Sequence, residues 1–112
     1  MSIVDRLFPI PEVDAEFWAA QGYRYHGKQH GRSIAAVLLQ KKVEGLEDCY
    51  LNLYRYSEAI GSPKVWELEI HASLEVCATT LTLYSLDEAE LLEKLDRLEQ
   101  LAINAYQFLK SQ

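Results

Sequence analysis

The chain has little cysteine and no long hydrophobic run. Its 112 residues include two cysteines, Cys49 and Cys77, which do not form the close pair that a structural zinc site requires. No stretch approaches the ~18 apolar residues of a membrane-spanning helix. Residues 1–10 lack the sustained apolar run of a signal peptide. We therefore expect a cytoplasmic protein with reduced thiols, no membrane contact and no cofactor.

Basic residues are scarce relative to acidic ones. The chain has 11 Lys and Arg against 17 Asp and Glu, which gives a formal net charge of −6. Because nucleic-acid binding depends on neutralising phosphates, this balance disfavours a nucleic-acid partner. With 49% hydrophobic and 25% charged residues, the composition is that of an ordinary folded chain, and its length predicts a single domain over residues 1–112.

Catalytic signatures are missing as well. The sequence contains no Gly-x-Ser-x-Gly element, and its glycines match neither the phosphate-binding loop nor the dinucleotide-binding spacing. We therefore assign no catalytic residue, and whether the protein is an enzyme stays open.

In the part of the sequence that follows Pro63, the spacing of the apolar residues changes once. Apolar residues first alternate with polar ones, as on one face of a strand, and then recur at the spacing of a helix. The strand set is Trp66, Leu68, Ile70, Ala72, Leu74 and Val76, and the helix set is Leu91, Leu95, Leu98, Ala102, Ala105 and Leu109. The pattern predicts a sheet covered by a long helix over about residues 86–110.

The remaining elements follow from strand patterns and turn residues. Residues 64–84 exceed one ordinary strand and their apolar phase slips, so we expect two strands with a bulge or turn within 72–79. Asp14 predicts the cap of a short helix that ends near Gln21. Further strands are predicted within residues 23–31, 33–41 and 49–56. The predicted class is α+β: an antiparallel sheet of four to five strands, a long C-terminal helix and a short N-terminal helix near an edge or on the other face.

The predicted C-terminal helix has a start signal and an apolar outer surface. Ser85 and Glu88 have the spacing of a capping box. Leu92, Leu101 and Phe108 widen the apolar stripe beyond a coiled-coil seam, which favours packing on the sheet and leaves surface for self-association. We therefore expect a homodimer.

Two predicted strands carry most of the candidate binding residues. One strand places tyrosines in a row, which suits a protein contact because tyrosine gives large area at low entropic cost, or else the rings stack within the fold. The next strand places two carboxylates and an imidazole on one face, which suits a divalent metal or acid–base chemistry, although we expect a merely solvated face. These candidates are Tyr50, Tyr54, Tyr56, Glu67, Glu69 and His71.

The one basic segment is residues 23–32. There Arg24, Lys28 and Arg32 are interleaved with aromatic residues and glycines. Rings and cations together suit stacking on bases and contact with phosphates. We expect a polar hairpin tip, with anion or nucleic-acid contact as the alternative.

Three functions are consistent with these patterns. The favoured one is a non-enzymatic cytoplasmic binding or adaptor protein, a homodimer that holds a protein partner through the sheet face or the helix surface. The first alternative is a small ligand- or metal-binding enzyme with a pocket between sheet and helix, formed by His71, Glu69 and Tyr54. The second is a nucleic-acid-associated regulator that uses the basic residues of 23–32.

Overall fold

A computed structural model of the chain describes residues 11–28, 36–46, 49–57, 64–73 and 78–111. Two helices and five strands lie within these residues. They are α1 (Ala15–Ala20), β1 (Arg24–Lys28), β2 (Ala36–Lys42), β3 (Cys49–Tyr56), β4 (Trp66–Ser73), β5 (Ala78–Leu86) and α2 (Glu88–Lys110). The predicted α+β class is confirmed.

The strands form one antiparallel sheet whose spatial order, β1-β2-β3-β4-β5, is also their order along the chain. Two strands, β4 and β5, lie in this part of the chain, as predicted, and they pair antiparallel with Ser73 opposite Ala78. Leu74 and Val76 of the predicted alternation lie outside the described residues. A register shift also contributes to the slip in the phase of the apolar residues. Leu68 pairs with Tyr84 but Glu69 pairs with Thr82, so β5 has one extra residue at this point.

Strand β2 is covered on both faces. Its first four residues, Ala36, Val37, Leu38 and Leu39, are all buried, although successive side chains in a strand point to opposite sides. Leu39 belongs to the main core, whereas Ala36 and Leu38 pack with Tyr54 in a smaller cluster on the other side. This two-sided burial explains the apolar run without alternation.

Helix α2 packs on β4 and β5 and closes the main core. Leu91, Leu95, Leu98 and Ala102 are buried as predicted, and Tyr106 joins them. Ala105, predicted in the same stripe, is only half-buried, and the side chain of Leu109 lies outside the described part of the structure. They meet an aliphatic sheet surface that includes Leu39, Leu51, Leu53, Leu68 and Ile70. Neither helix in the described part of the chain is both long and apolar enough to cross a membrane.

The predicted capping box of Ser85 and Glu88 is wrong by two residues. Ser85 lies in β5, and the residue that caps α2 is Asp87, whose Oδ1 accepts a hydrogen bond from the backbone N–H of Glu90 at 2.8 Å. In return, Glu90 Oε1 accepts from the backbone N–H of Asp87 at 3.5 Å. Asp87 and Glu90 thus form a capping box, with the reciprocal geometry that was predicted for Ser85 and Glu88. Because the Glu90 N–H stabilises the charged carboxylate, it lowers the pKa of Asp87.

Helix α1 is fixed at the β1 end of the sheet by one tryptophan. Asp14 caps the helix, as predicted, by accepting from the backbone N–H of Phe17 at 3.1 Å. Trp18 is buried, and its ring lies edge-on to Tyr23 at 5.6 Å and tilted against Trp66 at 5.3 Å between centroids. Since all three rings belong to the core that α2 covers, both helices lie on the same face, and the predicted placement near an edge is confirmed.

Candidate binding face

The sheet face turned away from the helices holds the tyrosines and carboxylates that the sequence singled out. Residues directly opposite each other in an antiparallel pair share a face. The opposing pairs here are Tyr50 with His71, Asn52 with Glu69, and Tyr54 with Glu67, and they alternate with core pairs such as Leu51 with Ile70. We call the surface formed by Tyr50, Asn52, Tyr54, Tyr56, Glu67, Glu69 and His71 the polar face.

A chain of hydrogen bonds crosses three strands at the centre of the polar face. Gln40 Nε2 donates to Asn52 Oδ1 at 2.9 Å, and Asn52 Nδ2 donates to Glu69 Oε1 at 3.2 Å. The hydroxyl of Tyr54 donates to the same Glu69 oxygen at 3.5 Å. Asn52, Tyr54 and Glu69 are 5%, 6% and 2% exposed. Because buried polar groups are stable only when hydrogen-bonded, this chain fixes the side chains relative to the sheet.

The expectation of a solvated face is therefore wrong for Glu69. Alternation correctly predicted which side of the sheet this residue faces, but the side chains of Asn52 and Tyr54 reach its carboxylate and help to enclose it. Glu67 and His71, on either side of it in β4, are only half-buried. Glu69 is thus a supporting residue, whereas its neighbours remain accessible.

The accessible part of the polar face consists of half-buried residues around this centre. Tyr50, Tyr56, Glu67 and His71 all keep partial exposure. The Tyr56 hydroxyl donates to Glu67 Oε1 at 3.2 Å, and the Tyr56 ring stacks on that of Tyr54 with centroids 6.4 Å apart. The expected ring stacking is confirmed for this pair. Aromatic surface and a carboxylate thus lie side by side where a partner would reach them.

The basic residues are divided between described and undescribed parts of the chain. Arg24 is exposed and opposes Gln40, so it extends the central row of the polar face onto β1. Lys42, which the sequence did not single out, opposes Tyr50 from β2 and is also exposed. Lys28 is the last residue of β1, and Arg32 lies outside the described residues. Cations therefore border the polar face on the β1–β2 side, opposite the carboxylates of β4.

A separate groove lies on the helix-covered side, between α2 and the turn that joins β2 to β3. It has a volume of about 1420 Å³. In its wall, Glu99 accepts from the Tyr23 hydroxyl at 2.7 Å and from Lys41 Nζ at 3.2 Å. Burial, reinforced by the Glu99 charge, raises the pKa of Tyr23 well above its usual range, so this hydroxyl stays protonated and donates.

This groove corrects the pocket predicted between sheet and helix. His71, Glu69 and Tyr54 lie on the polar face, on the opposite side of the sheet, and cannot line that pocket. The groove is lined instead by Gly22, Lys41, Lys42, Val43, Glu44, Gly45, Leu46, Leu51, Glu99, Gln100, Ile103 and Gln107. No local motif links these residues, because three distant segments contribute them.

Metal ligation and thiol chemistry find little support in the described residues. Within them, no group of three or more His, Cys, Asp or Glu side chains is placed to hold a metal ion. Cys49 is a buried free thiol in the main core, and burial raises its pKa, which disfavours the reactive thiolate. Cys77 lies outside the described residues.

No protein-family model, curated protein or solved structure matches this chain.

Proposed function

We propose that this chain is a non-enzymatic cytoplasmic binding protein, a homodimer that holds a basic segment of a partner protein against its polar face. The observation that supports this most is the hydrogen-bonded chain of Gln40, Asn52 and Glu69 with Tyr54. It orders the floor of the face before any partner arrives, and a preordered surface loses less entropy on binding. The free thiol of Cys49 is consistent with a reducing compartment.

The accessible residues on the β3–β4 side of the polar face favour a cationic partner, whereas Arg24 and Lys42 border the face on its β1–β2 side. Tyr50 and Tyr56 offer ring faces, which attract Lys and Arg through their quadrupoles and are ordered at low entropic cost. Glu67 adds a half-buried carboxylate beside Tyr56, and a carboxylate attracts Lys and Arg side chains through charge-assisted hydrogen bonds. The net charge of −6 also attracts a basic chain from a distance.

The test is a charge reversal on the polar face with a matched control. Glu67→Lys replaces the accessible carboxylate, and Glu93→Lys makes the same change at an exposed position of α2. Each variant is used as bait in an extract of the source organism, and bound proteins are identified by mass spectrometry. We expect a protein that binds the wild type and Glu93→Lys but is lost with Glu67→Lys, and whose binding weakens with salt.

A partner that binds all three baits equally would contradict the proposal, provided that circular dichroism shows Glu67→Lys to be folded. If that variant is unfolded, Tyr50→Ser replaces it, because this half-buried residue has no part in the central chain of hydrogen bonds given above. Retention of the partner by Tyr50→Ser would then have the same meaning.

A further inference from the structure

The two edges of the sheet differ in length and charge. Strand β1 has five residues and carries Arg24 and Lys28, whereas a register shift is present in both edge strands, between Tyr25 and Gly27 in β1 and at the Leu68–Glu69 step of the β4–β5 pairing in β5. Charges and short length are two of the usual protections of an edge strand against pairing with another chain. Strand β5 has nine residues and contains no charged residue, proline or glycine. Within the described residues, no strand pairs with its outer side.

The distribution of charge along the sequence favours a second copy of this chain as the partner of the β5 edge. A chain with a net charge of −6 repels its own copies, and like charges at the contact surface would add to that repulsion. Residues 76–86, which include all of β5 from Ala78, form the longest stretch of the sequence without Asp, Glu, Lys or Arg, and residues 100–109 form the next longest. These two stretches lie in β5 and α2, which pack against each other. The neutral surface is therefore suited to a second copy.

Helix α2 continues this neutral surface beside the edge. Gln100 and Gln107 line the groove on the side of the β2–β3 turn. Leu101 and Phe108, seven positions apart, lie on the other flank of the buried stripe at 100° per residue, and they are 45% and 65% exposed. Because the groove flank faces β2, the opposite flank faces the β5 side of the sheet. Apolar helix surface thus adjoins the uncharged edge.

We propose that two copies of this chain pair their β5 strands antiparallel about a two-fold axis. The two sheets then become one continuous sheet, and the α2 flanks bearing Leu101 and Phe108 come together across the axis. A two-fold contact uses the same surface on both copies, so an uncharged strand brings no like charges together at the contact. This proposal rests on the homodimer in the proposed function and names its contact surface. The polar face is left accessible.

The experiment measures the dimer dissociation constant by sedimentation equilibrium. Thr82→Lys places a cation at the middle of β5, opposite Glu69 of β4, so a two-fold contact brings two like charges close together. Tyr25→Lys places the same cation on β1, where the replaced side chain is 51% exposed. We expect a wild-type dimer of the 12.9-kDa chain, a dissociation constant raised at least about tenfold by Thr82→Lys, and little change with Tyr25→Lys.

A second pair of variants avoids the strand, in case Thr82→Lys fails to fold. Leu101→Glu adds a carboxylate on the β5 flank of α2, and Gln100→Glu adds one at the adjacent exposed position on the groove flank. We expect only Leu101→Glu to weaken the dimer. A wild-type monomer would overturn both this proposal and the homodimer, leaving partner binding by the polar face to its own test. A dimer insensitive to both Thr82→Lys and Leu101→Glu would overturn the β5 contact alone.

Discussion

The two faces of the sheet are built by the same strands and exclude water by different means. On the helix-covered face, Leu51, Leu53 and Leu68 are almost fully buried against aliphatic neighbours. On the polar face, Asn52 and Glu69 are nearly as buried, but they are held by hydrogen bonds. Aliphatic packing depends on volume, whereas the polar face depends on particular atoms at particular distances. Substitutions on the helix-covered face should therefore change stability through packing, and substitutions on the polar face should change it through hydrogen bonding.

The largest expected effect is the loss of a buried leucine from α2. Leu91 is fully buried, and Leu91→Ala removes its apolar contacts and leaves a cavity, which we expect to lower the free energy of unfolding by about 2–5 kcal/mol. The adjacent Leu92 is 44% exposed, so Leu92→Ala should cost less than about 1 kcal/mol. Urea unfolding of the two variants measures the difference. Equal losses would contradict the assignment of the helix face.

A smaller effect is expected at the centre of the polar face. Glu69→Ala removes the oxygen that accepts from Asn52 and Tyr54, and we expect a loss of about 1–3 kcal/mol in the free energy of unfolding. Glu69→Gln keeps a side-chain oxygen of the same reach and should recover a large part of that loss. Equal stabilities of the two variants in urea unfolding would contradict a stabilising role for a side-chain oxygen at this position.

The smallest effect concerns the cap of the helix that covers the apolar face. Because the pKa of Asp87 is lowered in the folded chain, its charge stabilises the fold fully above the ordinary carboxyl pKa of about 4, and this contribution is lost as pH falls through the lowered value. Asp87→Asn keeps a capping oxygen but no charge. The urea midpoint of the wild type should therefore exceed that of Asp87→Asn at pH 6, and the gap should narrow by pH 3. A gap independent of pH would exclude this linkage.

Local patterns predicted the elements well where one face of an element is buried. The strand predicted for residues 49–56 has those bounds, and the buried stripe of α2 begins with the predicted Leu91, Leu95, Leu98 and Ala102. In both cases the period of the apolar residues is set by the same burial that stabilises the element. The helix start was misplaced because Ser85 is held in β5 by pairing with Glu67, a contact between strands that no spacing within residues 85–88 reveals.

The sequence predicted which side of the sheet the candidate site residues face, but not how deeply each of them is buried. Alternation placed the tyrosines of β3 and the carboxylates of β4 on one side, and the strand pairing brings them together in register. The burial of Glu69 depends on contacts from Asn52 and Tyr54 on the neighbouring strand, so it follows from tertiary packing. Gln40 escaped notice because it follows a run buried on both faces, where alternation is lost. The groove is lined by segments that are distant in the sequence, so no local pattern predicts it.

The order of the strands has a consequence for how the chain emerges during synthesis. Each strand pairs with the strand made just before it, so successive hairpins can close while translation continues. Helix α2 is made last among the described elements, and until it docks, the leucines of β3 and β4 have no helix over them. Before α2 docks, the nascent protein therefore presents a nearly complete sheet with one exposed hydrophobic face. We expect chaperones to bind the chain mainly at this stage.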